Sequence, residues 1–478
     1  MPASFVPPSG MEYLRFLPEI VLVAVATLIM VLEPLTPAWR KRALGWLALV
    51  GFGAAMAPAV AARWQPGPAF GGMLQVDGFA TFFRVLVIAA GMLVTLVSFS
   101  YLRREGAESG EYYALMMYSV AGQCIMVSAS ELIVLFIGLE ISSISSYVLA
   151  GYLRREKLGN EAASKYFLLG SFATGFLLYG IALIYGATGT TRLNAIAEVL
   201  SNPRFAPAGL LAGTAAALML VGFAFKVSAA PFQVWAPDVY QGAPAPVTAF
   251  LAAGPKAAAF AVLLRVFMTA FAPMAGRWVA VLWSISLLTM IVGNFAALTQ
   301  TNLKRLLAYS SIAHAGYVMV ALTANSESGT SAAMFYLAVY VFMNIGAFAV
   351  VAYFARKGER YVEIDDLAGL GSRQPVVAAM FTVILLSLIG VPPTGGFFGK
   401  FYIFKAALES HLAWLAVLGL LNSAVAAYYY LRLIVVMYMR EPGESLADLP
   451  PISVSSGAAL CVSAAVVLAM GLFPGIVR

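Results

Sequence analysis

"FKVSAAPFQVWAPDVYQGAPAP" (Phe225 to Pro246) puts a lysine, Lys226, at the end of a run, Gly209 to Ala224, that carries no charge. Pro231 follows it closely. In water that arrangement would mean little. In a bilayer an ionisable side chain at membrane depth costs at least about 2.5–3.5 kcal/mol on insertion scales, so its presence calls for a function. The proline adds to the demand, because it removes a backbone donor and clashes with the preceding turn. A broken helix is tolerated in lipid only where the freed backbone groups face protein or a wet cavity.

The composition says that the medium is a membrane. Of 478 residues, 62% are hydrophobic and 11% charged, against about 45–50% and about 25% for a soluble domain. The mean hydropathy is +0.88. Two cysteines, Cys124 and Cys461, both within apolar runs, exclude an iron–sulfur cluster, a redox pair or a structural zinc site held by this chain. The two histidines, His314 and His411, are too few for a bis-histidyl haem and anything besides. The basic residues are spread over loops rather than gathered in one patch, which argues against nucleic acid. The stretch "MPASFVPPSGMEY" lacks a basic n-region and a small-residue cleavage site, so no cleavable signal is expected.

A spanning helix needs about 20 mainly apolar residues. That template gives an all-α polytopic chain of fourteen segments, at approximately 14–34, 43–61, 78–101, 112–128, 131–152, 162–187, 209–231, 245–271, 277–299, 304–323, 331–355, 375–408, 412–438 and 453–473. Alternate loops differ in charge. Fifteen Lys and Arg, among them Arg104, Arg155, Lys304, Arg305 and Lys357, fall in one set. Six (Arg15, Arg63, Arg192, Arg204, Arg277 and Arg478) fall in the other, with both termini. By the positive-inside rule the first set is cytoplasmic and both termini are expected to face outward, away from the cytoplasm.

Eight basic residues remain inside the segments. Arg84, Arg265, Lys405 and Arg432 lie nearer helix ends, where a long stem can carry its head to the interface. Lys165, three or four residues into its helix, is intermediate. Lys226, Lys256 and Lys400 each stand beside a helix breaker: Pro231, Gly254-Pro255 and "GVPPTGGFFG" (Gly390 to Gly399). Segments seven, eight and twelve are therefore expected to be broken. The twelfth would reach about 51 Å as continuous helix, well beyond a hydrocarbon core of about 30 Å. Broken helices with a polar group near the midplane mark ion-transport sites. Lysine suits proton carriage, since a desolvated ammonium gives up its proton readily whereas arginine holds it. Glu140, in "ELIVLFIGLEISSISSYVLAGY", is the expected counter-charge of Lys226.

Lys226 to Lys400 and Glu140 to His314 are both intervals of 174, and "AASKYF" (Ala162 to Phe167) aligns with "AAMFYL" (Ala332 to Leu337). Helices four to eight are thus expected to repeat as nine to thirteen. Five is odd, so the second copy is inverted. The expected division is 1–110 (helices one to three), 111–272 (first repeat), 273–440 (second, inverted repeat) and 441–478 (helix fourteen). His314 stands where the second copy matches Glu140, and a histidine titrates near neutral pH.

Three stretches, Phe225 to Leu251, "LKRLLAYSSIAHAGYV" (Leu303 to Val318) and "GVPPTGGFFGKFYIF" (Gly390 to Phe404), closely resemble the antiporter-like membrane subunits of proton-pumping NADH:quinone oxidoreductase, respiratory complex I. The likeness runs from about Phe79 to Tyr438. The wording "PDVYQGAPAPVT" is similar to the subunit N branch, as is lysine at position 400; Gln233 departs from some relatives. Nothing C-terminal resembles the long lateral helix of subunit L. The resemblance implies that Glu140 would tune the protonation of Lys226 and that Lys165 would connect through helix six. Lys256 and His314 would continue a polar chain to Lys400, the terminal site linked to the outside. It also implies neighbours such as subunits M, K and J, a peripheral arm reached through them, and NADH, FMN, iron–sulfur clusters and quinone bound elsewhere, with no cofactor on this chain. Two relatives share the lysine–glutamate core: a multisubunit Na⁺/H⁺ antiporter subunit and the equivalent subunit of a ferredoxin-linked photosynthetic complex. A purely structural scaffold would not explain three lysines at helix breaks.

Overall fold

The computed structural model describes residues 7–202, 209–447 and 449–477. Arg204 and Arg478, counted above among the outer loop charges, lie outside the described residues. The ordinal numbers of the sequence segments are kept below as labels. Nineteen α-helices are present among the described residues, and eleven helices are long and apolar enough to cross a membrane. Leu17–Leu32 and Pro375–Ile389 are shorter apolar helices. The helix starts are set by ordinary capping chemistry. Asp77 accepts from Ala80 N at 2.7 Å ahead of helix three, Gly78–Glu105. Asn302 accepts from Arg305 N at 3.1 Å ahead of helix ten, Leu303–Thr323. Ser326 does the same ahead of helix eleven, Glu327–Phe354.

Helix eight (Ala245–Thr269), helix ten and helix eleven are almost wholly covered by other helices and form the centre of the bundle. Helices two and nine present most of their surface outward. Short elements lie between the long helices, including a two-stranded antiparallel pairing of Gly67–Ala69 with Leu74–Val76.

Helix seven is broken as expected, into Gly209–Val227 and Trp235–Gly242. Protein groups take up the freed backbone atoms, as lipid requires. Ala230 N donates to Thr289 Oγ1 at 2.9 Å, and Trp235 Nε1 donates to Phe225 O at 2.9 Å. Helix twelve is also broken, into Pro375–Ile389 and Gly395–Glu409. Gly390 ends the first half at φ +93°, where a side chain is strained, and a Cβ there would meet Lys400 Cδ at 3.1 Å. Helix eight corrects the expectation: it is one continuous helix with Pro255 inside it. A proline deletes a single ladder bond, and where no water can replace the others the remainder of the helix persists.

The repeat has a structural signature, at a spacing other than 174. A backbone bridge joins Glu131 to Arg192 and another joins Asn302 to Glu363, both offset by 171 (302 − 131 and 363 − 192). The flanking bonds match too: Leu132 N to Thr191 O at 3.0 Å, and Leu303 N to Val362 O at 2.7 Å. Lys226 precedes its break and Lys400 follows its own, so the two lysines are not equivalent positions. At the offset of 171 the counterpart of Glu140 is Ser311, not His314. The two copies differ in loop and break length, and a single fixed interval cannot follow both.

Candidate functional site

Helix ten supplies the centre of the site. Ser311, His314 and Tyr317 recur at every third residue and so share one face of the helix. Lys256 of helix eight, 2% exposed, donates to the Ser311 hydroxyl and, at 3.2 Å, to the Ser311 carbonyl. Tyr340 of helix eleven also donates to Ser311 Oγ, at 2.7 Å. One turn on, His314 Nδ1 bonds to the Tyr336 hydroxyl, and Nε2 lies 3.1 Å from that of Tyr430. The next turn brings Tyr317, whose ring centre lies 4.8 Å from Lys400 Nζ. Lys400 donates to the carbonyls of Leu388 and Ile389, at 3.0 and 2.8 Å, and to Ser423 Oγ at 2.8 Å. The two carbonyls end the half-helix before the break, where the dipole favours a cation. A buried polar line therefore runs from Lys256 through Ser311, His314 and Tyr317 to Lys400.

Lys226 is the penultimate residue of its half-helix. Its ammonium donates to Ser143 Oγ at 2.7 Å and Tyr147 OH at 3.1 Å, both on helix five, Leu132–Ala150. Glu140 lies on the same helix one turn before Ser143 and accepts instead from Thr174 Oγ1 of helix six, at 3.1 Å. The expected direct Glu140–Lys226 pair is thus not formed: the lysine meets the two hydroxyls, and the carboxylate bonds to helix six.

Lys165, on helix six (Lys157–Thr188), is set apart from the line. It pairs with Asp238 and Glu161, both at 2.7 Å, and its side chain is 41% exposed. Asp238, on the half-helix after the seventh break, also pairs with Arg305 at 2.7 Å, and Arg305 donates to Gln241 at 3.0 Å. The sequence singles out His314, whereas Ser311 and Tyr317 are marked only by the three-residue spacing of "SIAHAGY" (Ser311 to Tyr317). Two loop or interface assignments are corrected. Lys304 is fully buried rather than a solvated loop charge. Arg84 does not reach an interface: it forms a 2.8 Å ion pair with Glu19, and neither side chain is exposed. Among the described residues no group of three or more His, Cys, Asp or Glu could hold a metal ion.

A helical bundle with two broken helices and a buried line of cations, tyrosines and a histidine is the antiporter-like class of membrane subunit. The family model described as "NADH:quinone oxidoreductase/Mrp antiporter, TM" matches residues 129–426. The chain is 61% identical over 464 residues to "NADH-quinone oxidoreductase subunit N 1" of Solibacter usitatus, covering 97% of this chain and 95% of the relative. It is 46% identical over 461 residues to "NADH-quinone oxidoreductase subunit N" of Trichlorobacter lovleyi, covering 96% and 94%. Among solved structures it matches a chain of respiratory complex I from Thermus thermophilus with bound aureothin at TM-score 0.83 and 36% identity, covering 96% and 98%. A chain of the Mrp complex from Dietzia sp. shares the fold, at TM-score 0.85 and 21% identity, covering 96% and 95%. The chain belongs to the NADH:quinone oxidoreductase/Mrp antiporter family of membrane subunits, in its subunit N group.

Proposed function

We propose that this chain is a proton-translocating membrane-arm subunit of an NADH:quinone oxidoreductase. Protons move along Lys226, Lys256, His314 and Lys400, with Glu140 and Lys165 biasing the first steps. The observation that carries this reading is the succession of buried polar groups along one face of helix ten: Lys256 on Ser311, His314 between Tyr336 and Tyr430, and Lys400 beside Tyr317. Lysine and imidazole can hold a proton, and the hydroxyls of Ser311, Tyr336, Tyr430 and Ser423 beside them can relay one. Redox chemistry, with NADH, FMN, iron–sulfur clusters and quinone, belongs to other subunits of the assembly, and subunits M, K and J are the neighbours. The chain makes fourteen crossings of the bacterial inner membrane with both termini outside, and divides at 110, 272 and 440 into the four parts given above.

The relatives named subunit N favour this reading over a Na⁺/H⁺ antiporter subunit, since the Mrp likeness carries the fold alone. Purification of the tagged chain in mild detergent tests it. Retention of flavin, iron–sulfur centres and NADH:quinone activity is the expected result. A preparation with none of them and with Na⁺/H⁺ exchange would instead support the antiporter.

A further inference from the structure

Glu359, in the loop after helix eleven, is used by nothing in the line above, yet its carboxylate meets three other elements. Oε1 accepts from Tyr101 OH near the end of helix three and from Ala245 N at the start of helix eight, both at 2.7 Å. Oε2 lies 2.5 Å from Lys304 Nζ at the start of helix ten. The same ammonium donates to Ala243 O at 2.6 Å, just ahead of helix eight. Helices eight and ten therefore begin side by side and run in the same direction, with one carboxylate between them. The loop that presents it holds two non-glycine residues in the left-handed region, Arg356 at φ +56° and Glu359 itself at φ +47°. Strain of that kind persists only where surrounding contacts hold it, and it gathers at functional sites. Here Glu105 of helix three holds it, accepting from Gly358 N at 3.0 Å.

Helices eight and ten are the pair that bring Lys256 onto Ser311. Lys256 lies eleven residues beyond Ala245, about 16 Å along its helix, and Ser311 lies seven beyond Lys304, about 10 Å along its own. A rigid helix carries a shift at its end to its middle. We infer that Glu359 is a positioning residue, which fixes helix eight against helix ten at their starts and thereby holds Lys256 on Ser311. This inference rests on the proton-line reading.

The test uses the whole complex in sealed vesicles, with assembly and NADH and quinone KM measured beside coupled proton uptake. Lys256→Ala comes first. If it pumps normally, the proton-line reading itself fails. If it is inactive, Glu359→Gln is expected to lower coupled turnover, by up to about a hundredfold, with both KM values unchanged, since a misplacement of about an ångström can cost that much. The decisive variant is Lys304→Met with Glu359→Gln, which removes both charges together and so leaves none unbalanced. Positioning predicts that it stays as low as Glu359→Gln alone, because the tie between the helices is gone. Recovery to near the wild-type rate would mean that Glu359 only neutralises Lys304, and would overturn the inference. Should the double variant not assemble, Glu359→Asp decides: it keeps the charge but shortens the reach by one methylene. Reduced turnover is then expected, and normal turnover in an assembled complex contradicts the inference.

Discussion

Lys400 Nζ donates to the carbonyl of Ile389 at 2.8 Å, across the break that divides helix twelve. The lysine thus satisfies the backbone oxygens that the break frees. Ser423 is its side-chain partner, at 2.8 Å. A hydrogen bond to a charged group is worth about 1.5–3 kcal/mol, so Ser423→Ala is expected to slow coupled turnover by about tenfold or more. Proton uptake against NADH oxidation in sealed vesicles measures this. An unchanged rate would remove Ser423 from the site.

Lys226 should couple more strongly to Ser143 than to Glu140, because it bonds to the first and not to the second. Double-mutant cycles on turnover are expected to give an interaction of about 1 kcal/mol for Lys226 with Ser143 and a smaller one for Lys226 with Glu140. The reverse order would mean that the pair closes directly in the working complex.

The lysines were legible in the sequence because charge in an apolar run is rare and costly, and the breaks of helices seven and twelve because several Pro and Gly cluster there. Pro255 misled, since one proline deletes one bond and does not by itself part a helix. Lys304 and Glu359 were illegible: basic and acidic residues near a loop look solvated until the fold brings them together. The hydroxyl partners, Ser143, Tyr336, Tyr430 and Ser423, come from other helices, and no spacing within one helix announces them.

The buried pair of Arg84 and Glu19 joins helices one and three. Losing one partner leaves an uncompensated buried charge, at about 3–5 kcal/mol. Arg84→Met alone should therefore lower the thermal stability of the purified complex or release this subunit. Arg84→Met with Glu19→Leu should recover most of the loss. A single variant as stable as wild type would show that the pair is not buried in the assembly.

Orientation follows from the charge split of the loops. Reporter fusions at Arg104, Arg155 and Lys357 are expected to report the cytoplasm, and one at Asn202 the outside. A cytoplasmic signal at Asn202 would break the alternation on which the fourteen-span topology depends.

As proposed above, Lys400 passes protons on rather than merely holding a charge at the break. Lys400→Arg separates the two roles, because arginine keeps the charge and hardly gives up its proton. The measurement is proton uptake coupled to NADH oxidation in sealed vesicles, with assembly checked first and Lys400→Ala alongside. Arginine is expected to fail about as badly as alanine. An assembled Lys400→Arg complex that pumps at the wild-type rate would contradict it and leave Lys400 as a fixed charge capping a broken helix.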